Sequence, residues 1–210
     1  MHGHRNSAAP VDDPSRAGAK QPGRFDPQRA ARLDDPSRFE YLPPERVVEL
    51  LDAPPGALVV DFGTGTGTYA IRVAIARPDV AVVAIDEQPE MLDHLRAKPE
   101  AKALANLRTA LPEELPALRG RVARVFALNV LHELGDDSLR ALGALLGPEG
   151  FVLFVDWNAE IERPVGPPRD HVYGPEEAAE RLERFGFAVE RLEPFRYHYA
   201  LRARLARAAR

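Results

Sequence analysis

The 210-residue chain carries 28 Lys and Arg against 32 Asp and Glu, a net charge of -4, and 45% of it is hydrophobic. That composition describes one globular domain with a sizeable core and excludes a general basic field for nucleic acid, although the end "LRARLARAAR" is locally basic. It contains no cysteine, which excludes disulfides, thiolate metal sites and cysteine nucleophiles.

No apolar run is long enough to span a bilayer and no secretory signal opens the chain, so a cytoplasmic protein without a membrane partner is expected. Residues 1–24 are polar and rich in Pro, Gly, Ser and Ala, and read as a flexible tail. His2 and His4 lie in that tail, where two histidines do not make a metal site. The stretch "FDPQRAARLDDPSRFEYLPPERVVELL" reads as short helices separated by prolines, with Pro43 and Pro44 suited to the first turn of a helix through Leu51.

A strand–helix alternation follows. "ALVVDF" is a buried strand and Thr66 to Ala76 a helix; "VAVVAID" is a strand and Pro89 to Ala97 a helix. "NLRTA" is a weak third strand, and "RVARVFALNV" a fourth, before a helix from Asp136 to Leu146. "GFVLFVDWN" is the fifth, and "PEEAAERLERF" is a helix before Gly186. "FAVERLEPF" and "YHYALRARL" close the chain, with a link so short that they must pair as an antiparallel hairpin. The predicted fold is α/β: a doubly wound, mostly parallel seven-stranded sheet, Rossmann-like, with a C-terminal antiparallel hairpin. Residues 25–210 form the domain, and 25–52, which have no place in the sheet, are expected to cross its ligand edge as a helical lid. Phe25, Phe39 and Tyr41 would supply the apolar side of that lid.

The turn after the first strand, "DFGTGTGT", places Gly63, Gly65 and Gly67 at alternate positions behind Asp61. Glycine permits a tight turn and a close ligand approach, and the following helix start aims free N–H groups outward. The second strand ends in Asp86, where a carboxylate can accept hydrogen bonds from both hydroxyls of a ribose. A dinucleotide fingerprint would need a third glycine where Thr68 stands. Asp61 would repel a pyrophosphate, but it suits an ammonium. S-adenosylmethionine carries an ammonium, a sulfonium and a ribose and no phosphate, so these residues favour the methyl donor over NAD. A Gly-rich turn with no ligand would leave Asp86 unexplained.

With these residues in place, the chain from Phe25 to its end resembles the class I S-adenosylmethionine-dependent methyltransferases. "VVDFGTGTGTYAI", "VVAIDEQPEML", "FALNVLHEL" and "GPEGFVLFVDW" are similar to their first-, second-, fourth- and fifth-strand motifs. The ordered set "FDP", "LPPE", "NVLHE", "VDW", "GPP" and "YHY" is similar to small members near the ubiquinone/menaquinone-biosynthesis type. The resemblance implies a methyltransferase with S-adenosylmethionine as cofactor; His132, Glu133, Asp156 and His198 are residue types that can hold a divalent metal, but their spacing marks no metal site, and none is expected. Cofactor contacts would fall to Asp61, Gly63, Thr64, Gly65, Gly67, Asp86, Glu87, Met91, Ala110, Leu111 and Asn129. Two departures stand out. The third strand runs into Ala110-Leu111-Pro112 where relatives carry an acidic residue near the adenine, and Thr64 stands where many have cysteine. Backbone groups at Ala110 and Leu111 would then have to recognise the base.

Methyl transfer is an in-line displacement, so much of the catalysis can come from positioning. A base, where the acceptor carries a proton, would come from His132, Glu133 or Asp156 beyond the fourth and fifth strands. Trp157 and His198 are candidates for the acceptor wall; each also has a structural reading, as a packed strand end and a satisfied core histidine. The acidic balance and the lack of a recognition domain favour a small-molecule acceptor. Two rivals stand beside this reading: a non-catalytic S-adenosylmethionine-binding sensor or partner activator, and a nicotinamide-dependent oxidoreductase.

Overall fold

The computed structural model describes residues 17–20 and 25–206. Seven segments of β-branched and aromatic residues form one sheet: Leu58–Phe62 (β1), Ala81–Ile85 (β2), Leu107–Ala110 (β3), Val122–Leu128 (β4), Leu146–Trp157 (β5), Phe187–Leu192 (β6) and His198–Leu205 (β7). Their order is β3-β2-β1-β4-β5-β7-β6. β1 to β5 run parallel, and β7 lies antiparallel between β5 and β6. The hairpin expected from the short final link is therefore present, and it inserts its second strand next to β5.

Alternation along the strands sorts the core onto two faces. Val60, Val83, Val125, Val152 and Phe154 pack under the helices Asp136–Leu145 (α5) and Pro175–Arg184 (α6). Val59, Val82, Phe126, Leu153 and Val155 pack under Pro44–Leu51 (α1) and Thr68–Ala76 (α2). Central strands buried on both faces explain their near-continuous apolar runs. Pro89–Ala97 (α3) and the single turn Pro99–Lys102 (α4) complete the β2–β3 crossover.

Several boundaries differ from the sequence expectation; β5, expected from Gly150, already begins at Leu146. α2 begins at Thr68 because Gly67 takes φ 74°, a left-handed conformation that a helix interior does not admit. Between β3 and β4 the chain makes only a 3-10 helix, Pro112–Leu118, in which Pro116 lacks the N–H that a longer α-helix would need.

β1 lies between β2 and β4, so the connections reverse direction there and open a crevice at the carboxyl ends of the strands. Across that edge run the 3-10 helices Pro27–Asp34 and Pro36–Glu40. The expected tail, residues 1–24, lies outside the described residues except for 17–20. These four are docked: the Asp136 N–H donates to Ala17 O (2.9 Å) and Lys20 Nζ reaches Glu177 Oε2 (2.5 Å).

Candidate functional site

A cavity of about 370 Å³ occupies the crevice. Its floor is the β1–α2 turn. Gly63, Gly65 and Gly67 take φ 74°, 55° and 74°, conformations that a side chain would strain. The Gly63 and Thr64 N–H groups both donate to Ile85 O at 2.9 Å, which ties the turn to the end of β2. Asp86 accepts from the Gly65 N–H (2.7 Å) and the Gln88 N–H (3.0 Å).

Asp61 is 3% exposed and accepts from Thr64 Oγ1 at 2.6 Å. Burial pushes its carboxyl pKa up to about 7; the Thr64 bond opposes this and the Asp86 charge adds to it. Arg38, from the segment crossing the edge, lines the same cavity. Its guanidinium donates to Leu33 O (2.5 Å) and lies over the Tyr69 ring at 5.4 Å. The cavity therefore holds a buried acid and a cation, which is the complement of an amino-acid zwitterion. Asn129, in left-handed conformation at φ 59°, lines the cavity, and both polar atoms of its amide are buried without a partner.

Of the predicted cofactor residues, Asp61, Gly63, Thr64, Gly65, Asp86, Glu87, Met91 and Asn129 line the cavity. Gly67 caps α2 behind it, where its α-carbon faces Leu95. Ala110 is buried in the sheet, and the Leu111 N–H is taken by Glu114 Oε1 (3.2 Å), so that main-chain donor is already engaged. The walls there are apolar instead: Met91, Pro112, Leu115 and Leu128.

The three predicted catalytic residues separate into two layers. Only Glu133 lines the cavity. His132 and Asp156 lie behind it, 2% and 0% exposed. His132 Nδ1 is 2.9 Å from both Asp156 oxygens, and the carboxylate also accepts from the main-chain N–H of His132 (3.0 Å) and Trp157 (2.7 Å). His132 Nε2 faces Glu133 Oε1 at 3.6 Å. Burial works against the imidazolium, but Asp156 and then Glu133 outweigh it and hold the His132 pKa above its ordinary value.

Among the expected lid residues, Phe25 lines the cavity, with its carbonyl accepting from Gln88 Nε2 (3.1 Å). Phe39 packs edge-on against Tyr69, and Tyr41 joins Trp157, Tyr197 and His198 in a ring cluster away from the cavity wall. Sequence reasoning missed Leu33, Asp34 and Arg38. Asp34 Oδ1 accepts from Thr66 Oγ1, Thr68 Oγ1 and Lys98 Nζ, each at 2.6 Å, and fastens the crossing segment to the glycine turn. Nothing local in "ARLDDPSRF" marks these residues, since the partners of Asp34 lie 32 to 64 positions away.

A family profile described as a methyltransferase domain matches residues 59–150, β1 through the start of β5. The crystal structure of a SAM-dependent methyltransferase from Aquifex aeolicus is 31% identical, with a TM-score of 0.79; the match covers 87% of this chain and 100% of that one. The chain belongs to the class I S-adenosylmethionine-dependent methyltransferases. Among curated relatives, this methyltransferase is 36% identical over 118 residues to trans-aconitate 2-methyltransferase of Methylobacterium radiotolerans, covering 54% of this chain and 42% of the relative. It is 39% identical over 125 residues to an uncharacterized methyltransferase of Mycobacterium tuberculosis, covering 58% and 47%. The chain thus spans about half the length of these curated relatives. Others that match are named for a release factor and for ribosomal RNA. Among the described residues, no helix is long and apolar enough to cross a membrane.

S-adenosylmethionine is the cofactor of this family, and the residues present fit it. The cavity volume falls in the range of about 300–1,000 Å³ usual for small-molecule sites. The buried amide of Asn129 has no partner within the protein, and Asp61 and Arg38, which both line the cavity, suit an ammonium and a carboxylate.

Proposed function

We propose that this methyltransferase moves a methyl group from S-adenosylmethionine to a small-molecule acceptor. The observation that carries the reading is the set of charged groups that line one cavity beside its apolar walls: Asp61 and Asp86, tied to adjacent residues of the glycine turn, and Arg38 from the crossing segment. Asp86 would hold the ribose hydroxyls, Asp61 the ammonium and Arg38 the carboxylate. The apolar walls at Met91, Pro112 and Leu115 would take the adenine. When bound, the cofactor supplies an electrophilic methyl carbon on a sulfonium.

The chain's own part is to orient, to dry and to take a proton. Phe25 and Leu33 close the cavity from the crossing segment and exclude water. Glu133 is the carboxylate that faces the cavity, and His132 with Asp156 forms a buried relay behind it. A proton lost by the acceptor would pass to Glu133, with the His132 imidazole fixed by its Nδ1–H bond to Asp156 and its Nε2 turned to Glu133. The net charge of -4 supports a small acceptor over RNA. The trans-aconitate relative is itself named for a small-molecule acceptor. The match to a release factor methyltransferase covers only 30% of this chain, too little to carry an acceptor preference.

The test is transfer of isotopically labelled methyl from S-adenosylmethionine into fractionated extract. Label in the small-molecule fraction supports the proposal. Label confined to protein or RNA overturns the acceptor class, and none in any fraction, with cofactor bound, favours a sensor.

A further inference from the structure

Residues 17–20, expected to belong to a flexible tail, lie instead against the starts of α5 and α6. The Asp136 N–H donates to Ala17 O (2.9 Å), and the Tyr173 hydroxyl donates to Gly18 O (3.4 Å). Lys20 Nζ reaches Glu177 Oε2 (2.5 Å) and stands 4.9 Å above the Tyr173 ring. The fit needs glycine at position 18 for two reasons. Its φ is 82°, and a Cβ there would collide with the Asp136 carboxylate.

The docking gives α5 what its own sequence lacks. The first N–H groups of a helix have no partner inside it, and an N-cap side chain commonly accepts from them. The N-cap of α5 is Gly135, which has no side chain to offer. Ala17 O, from the far end of the chain, accepts from the first residue of the helix instead.

The turn held in this way is cavity wall. Gly135 and Asp137, on either side of Asp136, line the cavity, as do Leu134 and Ser138. A second path reaches the same wall. Arg181, 3% exposed, donates to the Tyr173 hydroxyl, to Leu134 O (2.7 Å) and to Asp136 Oδ1 (3.3 Å). Tyr173, against which Gly18 and Lys20 rest, is thus joined through one buried guanidinium to the main chain of the wall.

We propose that residues 17–20 are a positioning strap for the cofactor cavity. Docked, they hold the first turn of α5 in the conformation that binds, and a bound ligand in turn holds the strap down. Such coupling is reciprocal, because both events favour the same state of the wall. The Lys20–Glu177 pair is partly exposed and adds little, so the Ala17 cap and the Gly18 fit carry the effect. The proposal rests on the methyltransferase reading and brings into its site a segment that precedes the crossing helices.

The test uses the full chain and S-adenosylhomocysteine. Gly18→Val blocks docking from the strap side. Asp136→Pro blocks it from the α5 side, since proline suits the first position of a helix but has no N–H for Ala17 O. Each variant should bind S-adenosylhomocysteine about fivefold more weakly by calorimetry, the equivalent of roughly 1 kcal/mol and the usual cost of a lost helix cap. Asp136→Ala, which keeps the N–H, should lose less. The double variant should bind no more weakly than the weaker single one, because both changes undock the same strap. In the wild type, saturating S-adenosylhomocysteine should slow tryptic cleavage after Lys20 by a similar factor, read by mass spectrometry. A strap that serves stability alone would lower the melting temperatures of the variants and leave the affinities and the cleavage rate as they were. Unchanged affinity in either single variant, losses that add in the double variant, or cleavage at Lys20 that the ligand does not slow overturns the proposal and leaves the cofactor reading standing. Where a variant does not fold, the wild-type cleavage decides. Failure of the wild type to bind S-adenosylhomocysteine overturns both.

Discussion

Cofactor binding should release a proton from Asp61. In the ligand-free protein this carboxyl titrates near about 7, chiefly because it is buried, while an unfolded aspartate titrates near about 3.9. The folded state therefore holds the proton more tightly. That contribution to stability is full below about pH 4 and is lost as the pH rises through about 7. An ammonium placed beside the carboxylate reverses the preference. If binding returns the group to the ordinary range, it expels about 0.9 proton at pH 6, and affinity rises about fivefold between pH 6 and 7. The ligand's own α-ammonium lies beside a carboxylate, titrates above this window and stays charged across it. Calorimetry of S-adenosylhomocysteine in phosphate and in imidazole buffer at pH 6 reads the released proton from the difference in heats. Asp61→Asn should bind more weakly and lose most of the pH slope. Equal heats in the two buffers, or a wild-type slope in Asp61→Asn, would refute the reasoning.

Asp86→Ala should weaken S-adenosylhomocysteine binding at least about tenfold, since each charged-acceptor bond is worth about 1.5–3 kcal/mol before compensation; unchanged affinity in a folded variant removes Asp86 from the site. Gly65→Val should cost about 1–2 kcal/mol in melting experiments because φ is 55°, and should also weaken binding, because its Cβ would meet Leu33 Cδ1 at 2.8 Å. Normal binding would mean that the glycine serves only the turn. Asp34→Ala takes the acceptor from Thr66, Thr68 and Lys98, so stopped-flow should show ligand dissociation about tenfold faster or more, the equivalent of roughly one charge-assisted bond. An unchanged rate would mean that the crossing segment does not gate exchange.

The sheet was legible because its central strands are buried on both faces and each is followed by a turn and a periodic helix. "VVDF" and "VVAID" could hardly be anything else. The glycine turn and Asp86 were legible for a related reason, since their chemistry is local to two strand ends. What could not be read was tertiary. His132 and Glu133 are adjacent in sequence, yet the chain turns between them, so that one faces the cavity and the other faces Asp156. Phe39 and Tyr41 have the apolar character expected of a cover, but they pack on Tyr69 and on the Trp157–His198 pair. The covering contacts come instead from Phe25, Leu33 and Arg38. The departure at Ala110-Leu111-Pro112 was visible, but the capture of the Leu111 N–H by Glu114 was not, because it depends on how a 3-10 turn closes.

The account turns on an S-adenosyl ligand lying across the end of β1 and β2, with its ribose at Asp86 and its amino-acid end between Asp61 and Arg38. Calorimetry of the wild-type protein against S-adenosylhomocysteine and NADH tests this most directly. The predicted result is one molecule of S-adenosylhomocysteine bound per chain, weakened in Asp86→Ala and in Arg38→Gln, with no heat from NADH. Saturable NADH binding with no response to S-adenosylhomocysteine would contradict it.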